Sequence, residues 1–349
     1  MSDFHALKVA SIEQLTPSAV ALSFDIPDAL RAAFSFKAGQ YITLKKEING
    51  KEVRRAYSIS SAPSSGKMTV GIKKMPNGTF SVYANDTLEA GAELEVMHPE
   101  GRFIYTPDNK ATTVAAFAAG SGITPIMSIA QTVLEANDAN TFVLVFGNQS
   151  PEETMYRDDL LALQEKYNNR FFIQWVYSRS SEPDCLFGRI ENATVNLVLK
   201  NKFKTLDFDK FYLCGPEEMI TTVTNSLKNN GVSEDAILYE LFTSSETEAK
   251  EVTGLDGKTK VTVVLDDEEH ALEMDRKELV LDAVLKHDID APYSCQGGVC
   301  SSCIARVVEG EAEMVKNQIL TDGEVAEGLI LTCQAHAKSP TLKVDYDDV

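Results

Sequence analysis

Three of the six cysteines in this 349-residue chain lie within nine residues, at Cys295, Cys300 and Cys303. A fourth, Cys333, follows after 29 intervening residues. Four thiolates at this spacing form the ligand pattern of a [2Fe–2S] cluster, in which soft anionic sulfurs bind two irons. A structural zinc site is the alternative, although zinc sites with four cysteines more often carry two Cys-x2-Cys pairs. The end of the chain is therefore expected to fold around a metal group.

Length and charge limit the classes of function. A chain of 349 residues exceeds one ordinary hydrophobic core, so we expect two or three domains. The formal net charge of -19 disfavours binding to nucleic acid and to anionic membrane surfaces. No signal-peptide pattern opens the sequence, and no apolar run approaches the roughly 18 residues of a membrane span. We therefore predict a cytoplasmic protein whose cysteines are metal ligands or free thiols.

The hydrophobic pattern divides the chain into four parts. Residues 1–108 contain short β segments separated by Gly, Pro and Asn turns, which predicts an antiparallel β-barrel. Residues 109–243 alternate apolar strands with segments of helical length, the pattern of a doubly wound parallel α/β sheet. Residues 244–259 are polar and predict a linker. Residues 260–349 predict a mixed α+β unit that holds 8 Lys and Arg against 19 Asp and Glu.

Two short motifs in the barrel segment suggest a phosphate-bearing ligand. Arg55-x-Tyr57-Ser58 lies in a β-like stretch, so the arginine and the tyrosine project from the same face. Gly78-x-x-Ser81 follows, and its glycine turn and hydroxyl can offer N–H and O–H groups to a phosphate. Arginine and tyrosine on a strand are otherwise ordinary surface residues.

A second pair of motifs lies in the α/β segment. Gly120-x-Gly122 directly follows an apolar strand, with Thr124 as the expected N-cap and Pro125 at the first helical position. This arrangement suits a pyrophosphate, although proline replaces the third glycine of the usual Gly-x-Gly-x-x-Gly pattern. The helix is expected to bury one face, formed by Ile126, Ile129, Ala130, Val133 and Leu134. After a later strand comes Cys214-Gly215-Pro216.

Taken together, these motifs resemble the ferredoxin–NADP reductase superfamily, and residues 260–349 resemble a plant-type ferredoxin domain with a β-grasp fold. The resemblance implies that Arg55 neutralises the flavin pyrophosphate and that Tyr57 stacks on the isoalloxazine ring. It places Ser58 near flavin N5 as a catalytic residue, and Gly78 and Ser81 at the phosphate. The Gly-x-x-Ser element favours FAD over FMN.

The same resemblance implies roles in the nucleotide site. Gly120, Gly122 and Thr124 would line it with Gly215 and Pro216, and Cys214 would lie beside the nicotinamide as a catalytic residue. A buried core thiol is the alternative for Cys214. Ser178 and Arg179 follow a predicted strand where relatives that prefer NADPH hold the 2′-phosphate, which favours NADPH over NADH. Glu240 and Phe242 either border the flavin or pack in the last strand.

The order of the modules implies an electron path from NAD(P)H through FAD to the cluster and then to a partner protein. The whole chain is similar to the reductase subunits of bacterial phenylacetyl-CoA epoxidases, which implies a di-iron oxygenase as the acceptor. Another oxygenase, a desaturase or a cytochrome is an alternative acceptor. A non-turnover iron–sulfur redox sensor is the alternative from a different class. We expect the acidic unit over 260–349 to dock on a basic patch of the acceptor.

Overall fold

A computed structural model describes residues 4–242 and 252–349, which group into two compact units. The larger unit holds residues 5–53 and 57–240, and the smaller consists mainly of 252–349. Part of the predicted linker over 244–259 therefore lies outside the described residues. Its described part is residues 252–259, of which 252–257 form no helix or strand, whereas residues 258–259 already belong to the first strand of the smaller unit, so the linker ends two residues earlier than predicted.

The first part of the larger unit is a six-stranded sheet with one helix. Its elements are β1 (Phe4–Thr16), β2 (Ala19–Asp25), β3 (Tyr41–Ile48), β4 (Lys51–Ser58), β5 (Met68–Lys73), α1 (Thr79–Asp86) and β6 (Glu93–Met97). The strand order is β4-β3-β6-β1-β2-β5, and an antiparallel bridge between Ile59 and Val70 joins the two ends of the sheet. Inward-facing Leu, Val, Ile and Phe side chains fill the interior. The predicted antiparallel barrel is confirmed.

The second part of the larger unit is a parallel sheet flanked by helices. Its strands are β7 (Thr113–Ala119), β8 (Thr141–Asn148), β9 (Phe171–Tyr177), β10 (Leu186–Phe187), β11 (Lys210–Cys214) and β12 (Ile237–Glu240). Its helices are α2 (Ile123–Ala136), α3 (Arg157–Lys166), α4 (Asn192–Asn196) and α5 (Glu217–Asn229). The order β10-β9-β8-β7-β11-β12 is parallel throughout, and the predicted apolar face of α2 is buried. The direction of strand addition reverses between β7 and β11, where α/β sheets bind their ligands.

The smaller unit is a mixed sheet with two short helices. Its elements are β13 (Lys258–Leu265), β14 (Glu268–Asp275), α6 (Val280–Lys286), β15 (Ile304–Met314), α7 (Asp322–Ala326), β16 (Leu329–Leu331) and β17 (Ala335–Asp345). The strand order is β14-β13-β17-β15-β16, in which only the β13–β17 pair is parallel. This agrees with the predicted α+β domain. Across the described residues of the chain, no helix is long and apolar enough to cross a membrane.

Candidate functional site

Two glycine turns meet where the strand order of the parallel sheet reverses. Gly120 begins the turn after β7 and has φ +56°, a left-handed conformation that glycine adopts without strain. Gly122 has an ordinary φ, but a Cβ there would lie 2.1 Å from the carbonyl oxygen of Cys214 at the end of β11. The two turns are therefore in direct backbone contact. They form one wall of a crevice at the carboxyl edge of the sheet.

The start of α2 differs from the sequence prediction. Thr124 does not cap the helix, because a 3-10 turn over Gly120–Gly122 continues directly into α2 at Ile123. The Thr124 hydroxyl instead donates to the carbonyl of Ser121, at 3.0 Å. Pro125 lies at the third helical position, where its missing N–H still costs no intrahelical hydrogen bond. The close packing of Gly122 against Cys214 explains why the helix begins earlier than a threonine cap would allow.

Three side chains from separate elements meet beside this crevice. Ser58 ends β4 and is buried, and its hydroxyl donates to Oε2 of Glu240 at 3.0 Å. Glu240 ends β12 and pairs across the parallel ladder with Cys214, which is fully buried. The predicted catalytic residues Ser58 and Cys214 therefore share one neighbour, Glu240.

Burial sets the protonation of this group. Desolvation raises the pKa of Glu240 to about 8, and the hydrogen bond from Ser58 only partly opposes the shift. Burial, followed by the nearby charge of Glu240, raises the pKa of the Cys214 thiol well above its usual range. At neutral pH the group therefore carries a mostly protonated carboxyl and a neutral thiol.

The predicted flavin-binding residues lie along β4 and α1. Arg55 is exposed on β4, and its Nη1 donates to the carbonyl of Arg54. The ring of Tyr57 lies 5.7 Å from that of Phe80, between ring centroids. Ser81 is buried on α1, and its hydroxyl accepts a hydrogen bond from the backbone N–H of Met75 at 3.1 Å. That hydroxyl keeps its own hydrogen available for a ligand.

Glycine is required just before α1. A Cβ at Gly78 would lie 2.4 Å from the Ser81 hydroxyl oxygen. Any larger residue would displace this hydroxyl from its present position. The predicted pair Gly78 and Ser81 is therefore a close-packed turn at the N-terminus of an eight-residue helix.

The predicted adenosine end of the nucleotide site lies at the carboxyl ends of β8 and β9. The backbone N–H of Ser178 donates to the carbonyl of Asn148, and that of Arg179 donates to Gln149. The Arg179 side chain is exposed. Nδ2 of Asn148 is buried without a hydrogen-bond partner in the described structure, although the side chain stands at a ligand-binding edge. An unpaired buried donor here fits a site that a polar ligand completes.

The remaining predicted residues follow strands of the parallel sheet. Pro216 directly precedes α5. A Cβ added at Gly215 would lie 3.2 Å from the backbone nitrogen of Ala119, so the two segments pack closely. Phe242 follows β12 and is 37% exposed. The Nζ of Lys73, on β5, is close to Gly120: a Cβ added at this glycine would lie 3.9 Å from it. The glycine turns and a nearby cation together fit an anionic ligand such as a pyrophosphate.

The four clustered cysteines come together in the smaller unit. The sulfur of Cys295 contacts the sulfurs of Cys300 and Cys333, and that of Cys303 also contacts Cys333. Hydrogen bonds from these thiols and from backbone N–H groups hold the pKa of Cys295 far below its usual range. Taken over the described ranges, no three His, Cys, Asp or Glu side chains are grouped so that a single metal ion could bind them all.

The loop between the first ligands fits an iron–sulfur cluster in three respects. The N–H of Gly297 donates to the sulfur of Cys295 at 3.3 Å, as in a backbone that wraps thiolate ligands. Gly298 has φ +73°, and a Cβ there would lie 3.1 Å from the Gln334 side chain. The hydroxyl of Ser294 is buried without a partner among the described residues. This buried hydroxyl, next to Cys295 in sequence, is available to donate to a group bound at the cysteines.

Sequence reasoning missed several side chains in these sites. Asn148, Ser294 and Gln334 each adjoin a recognised motif in space, and two of them adjoin a ligand cysteine in sequence. Asn148 could have been found, because it is the first polar side chain after a buried apolar run that predicts a strand. Gln334 carried no periodic or spacing signal.

Three domain families match the chain in the order that the structure gives. They are an oxidoreductase FAD-binding domain over residues 6–105, an oxidoreductase NAD-binding domain over 117–225 and a 2Fe-2S iron–sulfur cluster binding domain over 263–338. The chain is also 36% identical to one subunit of the 1,2-phenylacetyl-CoA epoxidase of Escherichia coli (strain K12), over 99% of both chains. It belongs to the ferredoxin–NADP reductase superfamily. This reductase is an NAD(P)H-dependent oxidoreductase whose redox groups are FAD, NAD(P)H and a [2Fe–2S] cluster, so the zinc alternative is wrong.

Two further similarities bear on the reductase as a whole. It is 31% identical to the ferredoxin reductase component of 3-ketosteroid-9-alpha-monooxygenase from Rhodococcus rhodochrous, over 97% of this chain and 96% of the relative. The crystal structure of phthalate dioxygenase reductase aligns with 98% of both chains at a TM-score of 0.62 and 24% identity. The second similarity concerns the fold alone and agrees with the three-domain architecture.

Proposed function

We propose that this reductase is the electron-supplying component of a di-iron oxygenase that acts on phenylacetyl-CoA. The observation that carries the proposal is the 36% identity to a phenylacetyl-CoA epoxidase component over 99% of both chains. The chain is also similar over nearly its full length to the reductase component of a 3-ketosteroid monooxygenase, so full-length similarity alone does not select the acceptor.

The redox groups define the chemistry that the polypeptide must support. When bound, the flavin accepts a hydride from the nicotinamide and releases electrons singly, which a one-electron iron–sulfur cluster requires. The chain's own contribution is to bind, orient and shield these groups. Arg55, Tyr57, Gly78 and Ser81 would hold the flavin, while Gly120, Gly122, Thr124, Gly215 and Pro216 would shape the nucleotide crevice.

The three side chains beside the crevice would control protons and water. Ser58 is fixed by its hydrogen bond to Glu240, so its hydroxyl keeps one orientation as the nucleotide enters. Glu240 holds a proton at neutral pH because its pKa is raised to about 8. The neutral thiol of Cys214 is fully buried in the hydrophobic core at the end of β11, where it would support the nicotinamide site from below and keep water out. Phe242, which follows closely after β12, would border the same region.

Charge supports a docking mode for the acceptor. The segment 260–349 has 8 basic and 19 acidic residues, more than half of the chain's net charge of -19. Opposite charge on a partner would accelerate encounter and fix its orientation near the cluster. We therefore propose that the acidic ferredoxin domain docks on a basic patch of the oxygenase.

A reconstituted electron-transfer assay tests this function. The purified reductase is mixed with NADPH and either a phenylacetyl-CoA epoxidase oxygenase or a 3-ketosteroid monooxygenase, and product formation is measured for each. We expect product from phenylacetyl-CoA with NADPH oxidation in a fixed ratio, and little turnover with the steroid system. Efficient support of the steroid system alone would show that the acceptor is assigned wrongly.

Two controls separate docking from the internal chemistry. Raising the ionic strength from 0.15 M to 1 M shortens the Debye length from about 8 Å to about 3 Å, so transfer to the oxygenase should slow while flavin reduction by NADPH persists. An unchanged transfer rate at high salt would refute the docking proposal. The Cys333→Ser variant should retain flavin reduction and lose transfer, as expected if electrons leave through the cluster.

A further inference from the structure

The fourth cluster ligand must be aligned with a loop that lies far away in sequence. Cys333 sits in a 3-10 turn, Thr332–Gln334, between β16 and β17, whereas the other three ligands share the loop 295–303. A cluster accepts its ligands only within narrow distances, so the two segments need a fixed register. The residues on either side of Cys333 provide hydrogen bonds to that loop.

Thr332 forms the first of these connections. Its backbone N–H and its hydroxyl both donate to the carbonyl of Cys303, each at 3.0 Å. The hydroxyl of Tyr346, near the end of the chain, donates to the Thr332 hydroxyl oxygen at 3.0 Å. Thr332 is fully buried, so this connection is enclosed and anchored in the domain core.

Gln334 forms the second connection, to the opposite end of the loop. Its Nε2 donates to the carbonyl of Gln296 at 3.0 Å and to the carbonyl of Cys333 at 2.8 Å. Gln296 is exposed and has φ +52°, so it is the solvent-facing tip of the loop. The reversed amide would set its oxygen against two carbonyl oxygens, so the two acceptors fix which way the side chain points.

The carbonyl that Gln334 binds belongs to a peptide unit with a second role. The same planar peptide group carries the N–H of Gly297, which donates to the sulfur of Cys295 at 3.3 Å. In a trans peptide the C=O and N–H point in opposite directions, so holding the oxygen also orients the hydrogen. Gln334 therefore aims this N–H at the sulfur of the first ligand.

We propose that Gln334 is a positioning residue for the [2Fe–2S] cluster. By fixing the 296–297 peptide, its amide maintains an N–H···S hydrogen bond at the most exposed ligand. Hydrogen bonds to cluster sulfurs stabilise the added electron and raise the reduction potential. The same connection keeps the loop tip closed over the sulfurs, which slows loss of the cluster.

The test replaces the amide without changing the length of the side chain. In Gln334→Met, we expect the equilibrium constant for one-electron reduction of the cluster to fall about three- to tenfold, the range for one lost hydrogen bond. For a one-electron couple this is a shift of about 30–60 mV to more negative potential. We also expect cluster absorbance to decay faster in the presence of an iron chelator, by about the same factor.

A matched variant at the other end of the hydrogen bond serves as the control. Gln296→Asn changes that side chain but keeps the acceptor carbonyl, and asparagine tolerates the left-handed conformation. It should match the wild-type potential and decay rate. Flavin reduction by NADPH should remain unchanged in both variants, because the flavin and nucleotide residues are untouched.

The outcomes decide the proposal in each case. A Gln334→Met variant with the wild-type potential and decay rate would overturn it, as would equal changes in the Gln296→Asn control. If the Met variant takes up no iron, Gln334→Asn decides, since its amide is one methylene shorter and no longer reaches the Gln296 carbonyl. A wild-type potential in that shorter variant would also overturn the proposal.

Discussion

The contact between Gly122 and Cys214 gives a quantitative prediction about the nucleotide crevice. In Gly122→Ala the new Cβ would lie 2.1 Å from the Cys214 carbonyl oxygen and 2.5 Å from its carbonyl carbon. Ordinary van der Waals contact begins near 3.4 Å, so the start of α2 and the end of β11 must separate by about 1.3 Å. Both contacting groups are backbone, and no side chain can rotate away. The substitution therefore displaces the backbone that forms the crevice.

The expected consequence is a large loss of hydride transfer with little loss of fold. A misplacement of about 1 Å in a reacting pair can cost on the order of 100-fold in rate. We expect flavin reduction by NADPH, followed by stopped-flow absorbance, to slow about 100-fold in Gly122→Ala, while the flavin and cluster contents stay at the wild-type level.

Substitutions at two other glycines serve as controls for this prediction. Gly120→Ala meets no close atom but forces alanine into a left-handed conformation, at a cost of about 1–2 kcal/mol in the stability of the fold, so its rate should fall far less than that of Gly122→Ala. Gly323→Ala, in α7, would contact only the Thr321 hydroxyl at 3.9 Å and should be neutral. A Gly122→Ala enzyme as fast as Gly120→Ala would refute the steric reasoning.

Two further predictions concern the charged residues around the crevice. If Glu240 borders the flavin, the rate of flavin reduction should fall as pH rises through about 8, because the ionised carboxylate would add a negative charge beside a group that gains electrons. In Glu240→Gln this pH dependence should disappear, and a surviving transition near pH 8 would assign it to another group. Arg179→Ala should raise the KM for NADPH about tenfold with little effect on that for NADH, whereas Arg31→Ala, an exposed arginine paired with Asp28, should change neither. Equal effects of Arg179→Ala on both nucleotides would show that its guanidinium does not contact the 2′-phosphate.

Much of the fold could be predicted from the sequence, because its signals are local. The strands β7, β8 and β9 follow from short continuous apolar runs, as expected for a parallel sheet buried on both faces, and the buried face of α2 follows from a 3.6-residue period. The start of α2 could not be predicted, because a 3-10 turn that packs against β11 replaced the expected threonine cap. The helix boundary was set by a contact 92 residues away in sequence, between Gly122 and Cys214.

The sequence by itself determined which redox groups this protein holds. The cluster requires the cysteine spacing and the phosphates require the glycine motifs, and each of these patterns lies within a short stretch of the chain. Only the tertiary structure decided the pKa values and the hydrogen bonds of the residues around those stretches. Glu240 acquires a raised pKa because folding buries it beside Ser58, and Gln334 reaches Gln296 because a turn brings distant segments together. Burial and long-range hydrogen bonds have no local sequence pattern, so they emerge only when the chain is folded.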